Sequence, residues 1–139
     1  MFAAAAYPLH DDPLARVLGY IDLRAQLIAG QPAEFSCVVG TMSQEVFQTH
    51  PRVRAACLVS ISGHARTLEA DIAAALAERR IDARITAGSL ALHTQAVLQG
   101  AFILAKAGND PAAAKDSVGH LRCYFELLFN THPTRETHS

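Results

Sequence analysis

Seven histidines and three cysteines are the side chains of this 139-residue sequence best suited to ligating a metal or attacking an electrophile. Their spacing limits both chemistries. A helical zinc site sets two ligands one turn apart, yet no two histidines stand at i and i+4, and no Cys-x-x-Cys pair occurs. No metal and no cofactor are expected. A cysteine nucleophile needs a histidine base within hydrogen-bond reach. Cys57 and His64 share a helical face but lie about 10 Å apart along its axis, too far for direct contact. Cys37 with His64 remains geometrically open between two helices, which keeps a small helical-bundle enzyme as an alternative. Buried packing is the simpler role for Cys37, Cys57 and Cys123, which are odd in number and set in helical contexts. No catalytic residue is assigned, and the chain reads as a non-enzyme. His64 is the polar residue of most interest, because it interrupts an apolar stripe. Either its ring bonds a backbone carbonyl or neighbouring side chain, or it points into a cavity and meets a polar atom of a largely apolar ligand.

The elements that must position these groups read as helices. Residues 1–11 are a lead-in without periodicity. Asp12 then caps a first helix with Pro13 at its first position, and Leu14, Val17, Leu18, Ile21, Ala25 and Ile28 recur at helical spacing until Gly30. A second helix follows Gln31-Pro32 with Phe35, Val38, Val39, Met42 and Val46 inward, and stops near His50. Gly40 in its middle costs about 1 kcal/mol relative to Ala, which suggests close backbone contact or room for a ligand. Pro51 opens the longest helix, from 51 to about 80, whose stripe is Val53, Cys57, Ile61, His64, Leu68, Ile72 and Leu76. Asp82 to Ala87 is a break, and 131–139 is expected to be a disordered tail. One helical domain over 12–130 results.

The last two helices, from Ser89 to Phe129, carry more apolar surface than one small domain needs. Gly108 is read as the stop of the first of them, Asp110 as the cap of the second and Pro111 as its first residue. On the first, His93, Ala96, Gly100, Ile103 and Ala107 form a stripe of mostly small residues that lets another backbone come close. Leu90, Val97, Ala101 and Leu104 lie beside it, Leu98 and Phe102 face a third way, and Gln95, Gln99 and Lys106 form the polar edge. On the second, Ala114, Val118, Leu121, Phe125 and Leu128 make a core stripe, next to a mixed stripe of Ser117, His120, Tyr124 and Leu127. Such a hairpin is expected to pair with its own copy in a four-helix arrangement about a two-fold axis. His93, His120 and Tyr124 would then be cross-subunit hydrogen-bond partners; the alternative leaves them on a solvated rim.

Composition narrows the class further. Half of the residues are hydrophobic but only 6% are aromatic, there is no Trp, and Ala and Leu dominate, so helix packing is favoured over a sandwich of sheets. The fold class is all-α, with five helices. The net charge of −1 and the scattered arginines give no basic footprint for nucleic acid. Met-Phe-Ala-Ala-Ala-Ala lacks the basic start of a signal peptide, and no apolar run approaches membrane-spanning length. A soluble cytoplasmic protein with no membrane partner is expected.

Thr94-Gln95-Ala96-Val97-Leu98-Gln99-Gly100-Ala101-Phe102-Ile103-Leu104-Ala105-Lys106-Ala107 and His120-Leu121-Arg122-Cys123-Tyr124-Phe125-Glu126-Leu127-Leu128-Phe129 resemble the C-terminal half of tetracycline-repressor-type (TetR/AcrR) transcriptional regulators. Cys37-Val38-Val39-Gly40-Thr41 and the break from Glu45 to Pro51 extend the resemblance upstream, so that it covers roughly residues 12 to 129. The resemblance implies an effector-binding and dimerisation core in a homodimer, with a small apolar effector entering between the second, third and fourth helices. Phe35, Val39, Met42, Val46, Cys57, Ile61, Leu98 and Phe102 would line that cavity together with His64. In such regulators the shift in packing moves two DNA-reading heads and releases the operator. DNA would be reached only through an N-terminal helix-turn-helix domain, which this chain is expected to lack. The alternatives are a dimerisation module without ligand, or a truncated partner of full-length regulators.

Overall fold

Asp12 and Pro13 start the first helix as their types require. The Asp12 carboxylate accepts from the Leu14 N–H at 3.4 Å, and Pro13 fills a position whose N–H would have no helical acceptor. The computed structural model describes residues 10–28, 38–81 and 84–129. They form five helices: α1 (Pro13–Leu27), α2 (Val38–Val46), α3 (Pro51–Glu78), α4 (Ala87–Gly108) and α5 (Ala112–Leu128). No strand occurs among the described residues. The all-α, five-helix architecture is therefore the observed one. The expected stop at Gly30, the beginning of the second helix with Phe35 and Cys37, and the tail from 131 lie outside the described residues.

Helix ends follow local chemistry, with two departures from expectation. α4 begins at Ala87, earlier than Ser89, because Thr86 caps it: the Thr86 Oγ1 accepts from the Ser89 N–H at 3.2 Å, and the Ser89 hydroxyl donates back to the Thr86 carbonyl at 2.9 Å. At its other end the left-handed residue is Asn109, with φ 47°, and Gly108 is still helical. Asn109 N–H reaches Lys106 O and Asp110 N–H reaches Ala105 O, the double closure of a Schellman motif. α3 ends in the same way. Arg80 is left-handed at φ 50°, its N–H bonds Ala77 O, and Ile81 N–H bonds Leu76 O. Asp110 performs its expected capping, accepting from the Ala112 N–H at 2.9 Å, while Pro111 is already in helical conformation.

α3 and α4 pack on each other, α5 packs on α4, α1 lies across α3 and α5, and α2 packs on α3. One core joins Leu14, Val17 and Ile21 of α1, Leu68 and Ile72 of α3, Leu90, Leu98, Ala101 and Phe102 of α4, and Val118, Leu121 and Phe125 of α5. Burying each large apolar side chain contributes about 1.5–3 kcal/mol. Polar ties fix α1 on this core. Arg16 Nε donates to Asp71 Oδ1 on α3 at 2.8 Å, and Arg122 Nη1 of α5 donates to Asp22 Oδ2 at 2.7 Å.

Three side chains sit differently from their expected places. Gln95 is not on a polar edge but only 7% exposed, because α1 covers it and supplies Tyr20, whose hydroxyl accepts from Gln95 Nε2 at 3.1 Å. Leu104 is exposed instead of interior. Cys123 is exposed, whereas Cys57 is buried as expected. The buried face of α3 passes through Cys57, Ala65, Leu68, Ile72 and Ala75. Both α1 and α4 pack on α3, so its buried face includes small residues such as Ala65 and Ala75 that an apolar stripe of large residues overlooks.

Candidate functional site

Two regions carry the residues singled out in the sequence: the outer face of the α4–α5 hairpin and the region where α2, α3 and α4 follow one another. On the hairpin, the small-residue stripe faces outward. His93, Ala96, Ile103 and Ala107 of α4 are exposed, Gly100 is half-buried, and His120, Tyr124 and Leu127 of α5 are exposed. Leu92, Ile103 and Leu104 are each about half exposed, and Leu127 is 66% exposed. These side chains are apolar and large, so leaving them in water forgoes roughly 25 cal/mol for each Å2 that a partner surface could cover. A Cβ added at Gly100 would meet nothing within 4 Å among the described residues, and none of them requires glycine there.

α4 and α5 hold this face in register. His93 meets Tyr124 edge to face with ring centroids 5.9 Å apart, and Tyr124 meets Phe125 in the same manner at 6.2 Å. Phe125 is fully buried, stacked on Phe129, which anchors the C-terminal part of α5 below the exposed Tyr124. Arg122 also binds Glu126 at 3.0 Å on its own helix, so its guanidinium ties α5 internally as well as to α1.

The expected ligand-lining residues fall into two groups. Leu98 and Phe102 belong to the main core, and the Arg24 guanidinium lies over the Phe102 ring at 5.5 Å. Val39, Met42, Val46 and Ile61 are half-buried and Cys57 is buried, on α2 and α3, which pack together. His64 is exposed on α3, although it sits on the same helical face as Cys57. Its ring therefore does not need an internal partner in the isolated chain, and the expectation of a buried imidazole is corrected. Phe35 lies outside the described residues.

Arg24 is a residue that the sequence analysis missed. Its Nε is buried without a hydrogen-bond partner among the described residues, while its guanidinium face rests on Phe102. A cation over an aromatic ring gains from the ring quadrupole. The only sequence cue would have been an arginine within the last turn of α1, where positive charge also complements the helix dipole. For metals, the described residues bring together no group of three or more His, Cys, Asp or Glu side chains able to hold an ion. No helix of the described residues is long and apolar enough to cross a membrane.

With this geometry in place, comparison with known proteins is specific in one respect. A family model described as the tetracyclin repressor-like, C-terminal domain matches residues 13–121, which reach from the first residue of α1 well into α5. No curated protein and no solved structure matches the chain.

Proposed function

The chain belongs to the tetracyclin repressor-like C-terminal domain family, and from that premise we propose that it is the effector-binding and dimerisation domain of a cytoplasmic transcriptional regulator. Two copies pair through α4 and α5 about a two-fold axis, with Ala96, Gly100, Ile103 and Ala107 against the partner and His93, His120, Tyr124 and Leu127 beside them. A small apolar effector binds among α2, α3 and α4, with Val39, Met42, Val46, Cys57 and Ile61 as its wall, Leu98 and Phe102 at its deep end and His64 at its mouth. Phe35, outside the described residues, is the remaining residue that the family resemblance assigns to this wall. In a full regulator, ligand entry shifts α2 and α3 relative to the core and so changes the spacing of the DNA-reading heads.

The observation that carries this reading is the α4–α5 face. Ile103, Leu104 and Leu127 stand exposed around a small-residue stripe on helices that already share a filled core. Apolar side chains in such a cluster favour a second copy over water. A dimerisation module without effector is the second reading, favoured by the place of Leu98 and Phe102 in the continuous core.

Native mass spectrometry of the whole chain as purified tests both parts. Two chains plus a small adduct are expected. A ligand-free dimer that also stays empty with a panel of apolar compounds would favour the second reading. A monomer at high protein concentration would overturn the pairing.

A further inference from the structure

A groove of about 400 Å3 opens where the loop before α4 meets the side of α5, lined by Arg84, Ile85, Ser89, Leu90, His93 and Tyr124. It lies away from the effector site proposed above, which draws on α2, α3 and the middle of α4. Its size falls within the range of small-molecule sites. Leu90 is buried and Ile85 packs on the core, so they give the groove an apolar floor. His93 and Tyr124, edge to face, give one aromatic wall. Arg84 gives a permanent cation to the lining, and none of the lining side chains among the described residues is acidic.

The geometry points to a second ligand site, for a planar aromatic or otherwise apolar molecule that carries a carboxylate. The apolar body fits the floor and the aromatic wall. The carboxylate is met by Arg84, whose guanidinium offers five donors and can serve a ligand as well as a protein partner. The Tyr124 hydroxyl is a further donor on the same groove. The beginning of α4 is not what selects the anion. Its first turn is already capped by Thr86, and the Glu69 carboxylate lies so close to Gly88 that a Cβ there would be 3.3 Å from Glu69 Oε1. None of these lining residues is among those assigned to the effector cavity, so binding here does not depend on that cavity. It opens at the end of the proposed pairing face, where His93 and Tyr124 serve both.

The test uses the full chain labelled with 3-fluorotyrosine, whose three tyrosines are Tyr7, Tyr20 and Tyr124. The Tyr124 fluorine signal is assigned by its loss in Tyr124→Phe. The probes are 2-naphthoate and its uncharged counterpart 2-naphthylmethanol. Naphthoate is expected to move the Tyr124 signal saturably, and naphthylmethanol to bind about tenfold more weakly or less tightly still, because it lacks the charge-assisted bonds to Arg84. Arg84→Gln should weaken naphthoate by about tenfold and leave naphthylmethanol unchanged, whereas Arg84→Lys should retain part of the difference. Three results would each overturn the site: no saturation of the Tyr124 signal up to about 10 mM, equal binding by Arg84→Gln and the parent chain, or saturable binding that leaves Tyr124 unmoved. In the last case a moving Tyr20 signal would put naphthoate inside the bundle, which overturns the groove while leaving the effector cavity standing.

Discussion

Gln95 of α4 donates from its amide nitrogen to the Tyr20 hydroxyl of α1 at 3.1 Å, with Gln95 almost wholly buried. This bond links α1 to α4 through two polar groups. Its loss is asymmetric. In Tyr20→Phe the Gln95 amide keeps its burial and loses this acceptor, for which about 1–3 kcal/mol of destabilisation is expected. Gln95→Leu should cost less, because it removes the buried amide together with its need for a partner. Urea unfolding of both variants and of the double variant measures the coupling, expected at about 1 kcal/mol. Additive single effects would mean that the bond contributes nothing of its own.

Arg80 and Asn109 hold the left-handed positions that close α3 and α4. The left-handed region costs an ordinary L-residue about 1–2 kcal/mol, and Asn less than most. Arg80→Gly is therefore expected to stabilise the chain by about 0.5–1 kcal/mol after the larger unfolded-state entropy of glycine is counted. Asn109→Gly should gain less, and Asn109→Val should lose stability. Thermal unfolding of the three variants checks the order.

Gly100 and Gly63 both sit in helices where an added Cβ meets nothing within 4 Å among the described residues. Each Gly→Ala change should raise the intrinsic stability of its helix by about 0.5–1 kcal/mol. Only Gly100 lies on the proposed pairing stripe. Gly100→Ala is thus expected to weaken the dimer while Gly63→Ala leaves it alone, as read by sedimentation over a range of concentrations. Equal dimer affinity in both would remove the close approach of backbones at Gly100.

Ile103→Glu and Leu127→Glu place charges on exposed positions of the same face. Folding of the single chain should change by no more than about 0.5 kcal/mol, since neither side chain belongs to the core. The expected result is a folded monomer, by native mass spectrometry alongside circular dichroism. Leu121→Ala is the contrast, a core change expected to cost about 2–5 kcal/mol.

What could be read from the sequence was mostly what neighbours along the chain determine. Asp12-Pro13, Pro51 and Asp110 announced helix starts because a cap needs only the next turn, and the α5 stripe of Val118, Leu121 and Phe125 followed from its own period. Gln95 could not be placed in this way, since its burial depends on Tyr20, 75 residues away. The same holds for Arg24 over Phe102. His64 misled because a seven-residue stripe presumes a neighbour along the whole helix. Leu104 and Cys123 misled for a related reason: apolar character says that a side chain favours cover, not that its own chain provides it. The outward placement of His93, Ala96, Ile103, Ala107, His120, Tyr124 and Leu127 could be read because each stripe turns away from a strong core stripe on its own helix.

α3 is 28 residues long, about 42 Å at the helical rise, but from Ala65 onward its inner face lies in the shared core, while Leu58 and Val59 stand in solvent. Mechanically it is a cantilever. The Arg16–Asp71 bond and the seated Leu68 and Ile72 clamp one end, and the other end is braced by α2. Its amide protons should accordingly exchange in a gradient, fastest near Ala55 and slowest near Ile72. A molecule wedged under α2 would load the beam at its compliant end, so that a small displacement there is delivered to Pro51 and the segment before it without prying the core apart.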